Sequence, residues 1–333
     1  MNKLVRQMLP FASLILIICA LSALEPDSFL TLDNFLNVFR RSSVFGIIAI
    51  GMTFIIISAG IDLSVGSMMA LCGMLGAHVM VAAGGADPHG GALVIGTIAG
   101  IAAGILCGLL NGFLITRLKL QPFIVTLGTM SFFRGIALVM KDGQPINVPS
   151  YKYLGEGTVL NFKIGRDAAL NQDIVFGIPI SVIIFILVIA AAVFILSYTR
   201  LGRYVYAIGS NREAAFHAGV NVERNLICIY AFTGLLVGIA AMIATSRTVS
   251  AQPTAGYGAE LDIIAAVVIG GASLSGGRGT VTGTIVGTLL ISFLRNGCTL
   301  LGISTNAQLI VIGMIIILAV TLDQLARTRA GKP

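Results

Sequence analysis

Charge is scarce in this sequence. Only 11 % of its 333 residues are Asp, Glu, Lys or Arg, against about 25 % in a soluble protein. So few charges cannot cover a globular surface in water, and part of the surface must face lipid. A hydrophobic share of 56 % and a mean hydropathy of +0.97 say the same. Histidine is equally sparse. His78, His89 and His217 lie far apart, and no series of carboxylates and histidines suggests a proton relay within a membrane. Cys19, Cys72, Cys107, Cys228 and Cys298 sit singly in apolar runs. Their spacing suits neither zinc nor a disulfide framework, which leaves small packing residues and no expected metal site. There is no G-x-x-x-x-G-K-[ST] to cradle phosphate and no H-E-x-x-H. Nor is there a G-x-S-x-G. An enzyme finds no machinery here, and an ion-coupled carrier finds little.

What the chain has instead is apolar runs long enough to span, about 17–25 residues each. They fall at 8–24, 44–60, 65–83, 92–115, 123–140, 178–198 and 225–245. Three weaker segments follow at 261–271, 280–294 and 308–321. Length alone suggests two domains, but a polytopic bundle makes residues 1–333 one transmembrane domain. The expected fold is an all-α polytopic membrane protein of about ten transmembrane helices, with eight spans plus two half-inserted segments as the alternative. Lys3 and Arg6 before the first run imitate a signal peptide. No A-x-A site is evident and many spans follow, so this is read as an uncleaved first span. Residues 29–39 are amphipathic and are expected to lie along the interface.

The net charge of +7 could hint at nucleic acid, but the basic residues follow topology instead. With ten spans, twelve of the 21 fall on the side of both termini and seven on the other. That bias places both termini in the cytoplasm. The polar insert 141–177 is then external, either bridging two spans or meeting an extracytoplasmic partner.

The stretch 199–224 is a compact cationic loop between two spans, hence cytoplasmic. Ser210 and Glu213 have the spacing of a capping box. Asn211, Glu213, Ala214, Ala215 and Phe216 continue it as a short helix, and Gly219 is placed to end it in the left-handed conformation. The loop is either a solvated connector or a docking helix for another protein.

Glycine recurs at every fourth position at Gly96, Gly100, Gly104, Gly108 and Gly112, and again at Gly279, Gly283 and Gly287. Such stripes let helices approach closely in lipid. The segment 60–67 breaks two apolar runs, and 271–277 echoes it as G-x-x-L-S-x-G. Asn111 and Asn296 form a second echo, each with a glycine seventeen residues on. Broken helices of this kind mark substrate paths in transporters. Asp62 and Ser64 are therefore candidates for the path, or else Asp62 caps the helix starting near Ser64. Gln121 and Thr126 give their helix a polar side that could bond a hydroxylated solute or a neighbouring helix. Gln252 lies in the polar turn 251–258. Asn111 and Asn296 complete the candidate path.

Four runs carry a resemblance: S-A-G-I-D-L-S-V-G-S at 58–67, T-R-L-G-R-Y-V-Y-A-I-G-S-N at 199–211, S-A-Q-P-T-A-G-Y-G-A-E-L-D-I-I-A-A-V-V-I-G-G-A-S-L-S-G-G-R-G at 250–279, and N-G-C-T-L-L-G-I-S at 296–304. The chain resembles the permease subunit of bacterial monosaccharide ABC importers, most closely the ribose type. Loops 84–91 and 160–177 depart from the ribose pattern, which leaves the sugar open. The resemblance implies a multi-pass inner-membrane subunit paired with a second copy or a paralogue. It implies an ABC ATPase docked at the coupling segment within 199–224, and a periplasmic or lipid-anchored sugar-binding protein outside. ATP and Mg would be held by that ATPase, with no cofactor in this chain. The competing reading is a self-sufficient secondary carrier or channel for a small polar solute.

Overall fold

The computed structural model describes residues 3–167, 172–314, 317 and 321. The basic tail used in the topology count lies outside the described residues. So do residues 315, 316 and 318–320 of the last expected span.

Among the described residues, seven helices are long and apolar enough to cross a membrane. They are α3 (Leu32–Ile57), α4 (Val65–Gly84), α5 (Gly91–Arg117), α6 (Pro122–Val139), α8 (Ile180–Tyr198), α11 (Val222–Thr248) and α13 (Val281–Leu300). Around them stand α1 (Lys3–Leu24), the single turn α2 (Pro26–Phe29), the short α7 (Tyr153–Glu156) and α14 (Thr305–Met314). Between α8 and α11 lie α9 (Arg200–Ser210) and α10 (Arg212–His217). The expected all-α polytopic class holds, with two minor two-stranded sheets added. One pairs Ile146–Asn147 (β1) with Ser250–Ala251 (β4), and the other is the hairpin Thr158–Asp167 (β2) with Gln172–Pro179 (β3). Both lie at the end of the bundle opposite α9 and α10.

Residues 29–39 do not form a helix of their own. From Leu32 onward they are the first turns of α3, capped by Thr31, whose side chain accepts from the Asn34 N–H. Part of the apolar side of this segment is covered by α13. Phe29 and Phe35 close on Phe293 of α13, with ring centroids 6.0 and 5.8 Å away, in the tilted arrangements aromatic pairs favour.

The glycine stripe on α5 decides the centre of the bundle. A Cβ on Gly104 or Gly108 would overlap the carbonyl oxygens of Gly234 and Tyr230 on α11, and Gly96 and Gly100 meet the backbone of α4 in the same way. Gly234 and Gly238 answer from α11. These stripes therefore join helices of the same chain. Gly283 and Gly287 seat α13 against Gly270 and Ala266 at the end of α12 (Ala259–Ile269). Gly279 instead has φ +155° and packs on Ile57. We expect Gly108→Val to cost about 1–3 kcal/mol, the usual range for overpacking, and to lower the thermal midpoint of the detergent-purified protein. An unchanged midpoint would mean that the close approach carries no energy.

α12 has 11 residues, about 16 Å of helix at 1.5 Å per residue, too short to span about 30 Å of hydrocarbon. The chain reaches it from β4 through successive turns at 252–258, with Gly256 and Gly258 at φ +66° and +75°. Irregular backbone at this depth survives only inside protein, and Gly256 does lie against Gly66 at the start of α4. The last third of the bundle thus contains an apolar helix too short to span.

Candidate functional site

Two places combine exposed polar chemistry with defined geometry. The first is the short helix between α8 and α11. α9 runs through Ser210, so Ser210 is not the cap expected from its spacing to Glu213. Asn211 is the cap, in extended conformation, and its side-chain oxygen accepts from the Ala214 N–H at 2.9 Å. The capping role moves by one residue because α9 continues up to it. α10 is correspondingly short, six residues long. Gly219 does end it left-handed, at φ +83°, with the Val220 N–H bonded to the Ala215 carbonyl at 3.0 Å. Ala215 is buried, Glu213 and Ala214 are exposed, and Phe216 is 66 % exposed. An open groove of about 640 Å³ runs beside it, lined by Arg212, Glu213, Phe216, Gly219 and Val220–Glu223.

α10 is tied to the membrane part through α9. Buried Val205 and Ile208 anchor α9. Gly209 sits against the Ile57 carbonyl at the end of α3, where a Cβ would not fit. The same carbonyl accepts from the Gly277 N–H at 2.8 Å. The half-buried Tyr206 donates its hydroxyl to the Gly279 carbonyl at 2.8 Å, and burial pushes its ionisation above the ordinary tyrosine range, so it stays a donor. The end of α3, just before the break at 60–67, and the break at 271–277 therefore meet beneath α9, which links both to α10.

The second place is a cavity of about 310 Å³ between α4, α11 and the segment after β4. Thr245, Thr248, Ser250, Gln252 and Thr254 give it hydroxyl and amide groups, and Met69, Gly73, Ala241, Ala244 and Ala255 an apolar wall. Gln252 Nε2 donates to Ser250 Oγ at 3.1 Å, and Ser250 Oγ donates to Asn147 Oδ1 at 2.9 Å. Nearby, burial pushes the Tyr151 phenol up to about 12; its hydroxyl shares a 2.8 Å bond with Thr97.

The remaining path candidates do not converge there. Asp62 is fully buried. Its Oδ1 accepts from the N–H and Oγ of Ser64 at 2.8 and 2.6 Å, and Asn111 Nδ2 reaches Asp62 Oδ2 and Ser64 Oγ at 3.3 and 2.9 Å. These three form a knot locking the break before α4 onto α5. Asn296 exchanges bonds of 3.2 and 2.7 Å with Asn34 across α13 and α3. Thr126 is buried and bonds the Pro122 carbonyl. Gln121 is exposed at the start of α6. Of the path candidates, only Gln252 lines the polar cavity. Thr245, Thr248, Ser250 and Thr254 were missed by sequence reasoning. Hydroxyls three residues apart near the end of α11, followed by a polar turn, were the available signal.

Comparison with known proteins fits this geometry. The family described as branched-chain amino acid transport system / permease component matches residues 34–320. The ribose import permease protein of Bacillus subtilis is 47 % identical over 95 % of this chain and 92 % of its own. That of Haemophilus influenzae is 42 % identical over 96 % and 93 %. The D-allose transport system permease protein of Escherichia coli K12 is 38 % identical over 95 % and 90 %. No solved structure matches. With several membrane-length helices and a match along nearly its whole length, the chain belongs to the branched-chain amino acid transport system / permease component family, as a multi-pass transport permease component.

Proposed function

We propose that this chain is the permease subunit of an ATP-driven importer for a monosaccharide, ribose or a related pentose or hexose. The observation that carries the reading is α10, a capped, exposed helix held between two spanning helices and wedged through α9 against the end of α3 and the broken segment 271–277. A partner ATPase, carrying ATP and Mg, docks on Ser210–Gly219 in the cytoplasm. Both termini lie on that side. A sugar-binding protein, periplasmic or lipid-anchored, delivers solute at the end bearing the sheets and the 141–177 insert. The exposed apolar faces of α5, α6 and α8, with Ile98, Phe132 and Leu187 among their residues, supply surface for lipid and for a second permease copy or paralogue. ATP binding closes the ATPase pair, shifts α10 and changes which side of the bundle is open. That is a population shift driven by differential binding to two states. Solute passes the polar cavity at Gln252, whose hydroxyl and amide groups suit a polyhydroxylated, uncharged ligand. The names of the ribose, allose and xylose relatives support this solute class.

Reconstitution tests the reading. The chain, its genomic-neighbour ATPase and its binding protein are placed in liposomes and assayed for ribose uptake. Uptake that needs ATP and all three parts is expected. An ATPase that responds to another sugar would change only the ligand. Uptake by this chain alone, without ATP, would replace the reading by a secondary carrier.

A further inference from the structure

The polar cavity owes one wall to a backbone with little regular structure. Between β4 and α12 the chain makes turns bonded Ala255 N–H to Gln252 O, Tyr257 N–H to Thr254 O and Ala259 N–H to Gly256 O. The carbonyls of Pro253 and Ala255 lie outside that series. Both are taken by one nitrogen of Arg134 on α6, at 2.8 Å each. Arg134 is half-buried within a spanning helix, where an arginine is costly and points to function. The two residues it grips flank Thr254, and Gln252 precedes them; Gln252, Thr254 and Ala255 all line the cavity.

We infer that Arg134 is a positioning residue for solute recognition. It holds the 252–255 wall so that Gln252 and Thr254 present their polar groups to a sugar in the cavity. Charge-assisted bonds to two carbonyls fix the wall more firmly than its own turns do. Because the grip comes from α6, a shift of α6 against α4 moves the wall and resizes the cavity. The inference rests on the cavity being the solute site, as proposed above.

The test uses the full importer in liposomes, in a cysteine-free background with Ala244→Cys, on the apolar wall of the cavity, as reporter. An impermeant maleimide measures access to the reporter, and ribose measures protection. The parent is expected to label slowly and to be protected by ribose. Adding Arg134→Gln removes both charge-assisted bonds and should raise the labelling rate by about tenfold or more and abolish protection. Arg134→Lys, which keeps a cation able to reach both oxygens, should recover at least part of both. Co-purification with the ATPase confirms folding of each variant, a readout on which a merely structural role would act first. Protection that survives Arg134→Gln overturns this inference alone. A parent that ribose never protects overturns the cavity reading, and the inference with it.

Discussion

Phe216→Asp should abolish ATP-driven uptake while leaving the permease folded. The side chain is 66 % exposed, on a helix whose buried anchor is Ala215 instead. Exposed substitutions away from packed features move stability by no more than about 0.5 kcal/mol, so the bundle should not respond. Docking should respond strongly. A large aromatic ring standing beside an open groove is the form an interface anchor takes, and truncating such anchors costs about 2–4 kcal/mol. An aspartate adds the desolvation of a charge at the same spot. The affinity for the ATPase should fall by about two orders of magnitude or more. Co-purification with the ATPase and uptake in liposomes measure the two halves of the claim. A variant that assembles and transports normally would remove α10 from the coupling path. Thermal midpoints of the permease alone separate that result from misfolding.

How far the sequence reaches can be seen residue by residue. The long spans were legible because lipid demands an unbroken apolar run, and composition alone reports that. The ends were less legible. Residues 29–39 looked interfacial because their periodicity is amphipathic, but periodicity cannot say whether lipid headgroups or Phe293 will cover the apolar side. Ser210 looked like a cap because the capping-box spacing is local, whereas the continuation of α9 through it depends on Gly209 fitting under the Ile57 carbonyl. The glycine stripes announced close packing without naming the partner; Gly234 and Gly238 supply it, and their spacing on α11 was readable in hindsight. The path candidates fared by chemistry. Asn111 and Asn296 stood out as polar groups in apolar helices, and each is consumed by a partner far away in sequence, Asp62 and Asn34. Gln252, in a turn, stays exposed at the cavity, whereas Gln121, exposed at the start of α6, does not line it. Arg134 is a charge inside the apolar run 123–140, but its acceptors are main-chain oxygens more than a hundred residues on, and no side-chain pattern encodes those.

The buried pair Asp262–Arg295 carries the second large prediction. Arg295 Nη2 lies 2.7 Å from Asp262 Oδ2, and the two side chains are 12 % and 11 % exposed. Arg41 lines the same small cavity, about 20 Å³, together with Thr288 and Ser292. That is room for about one water, and Asp262 Oδ1 and Arg295 Nε have no other partner. Only Arg295 is within ion-pair distance of the carboxylate; Arg41 adds a second positive charge on the same cavity. Asp262→Ala leaves Arg295 without its counter-charge, and breaking a buried pair from one side costs about 3–5 kcal/mol. The thermal midpoint in detergent should fall by more than for Gly108→Val. Adding Arg295→Met should recover more than half of the loss, because the second change removes the stranded cation and its repulsion of Arg41 while filling the space with apolar volume. A double variant as unstable as the single one would show that the pair is not what Asp262 contributes. Recovery would show that the carboxylate in the first turn of α12 is there for Arg295, fastening the short helix to α13 at one end while Gly283 and Gly287 fasten it at the other.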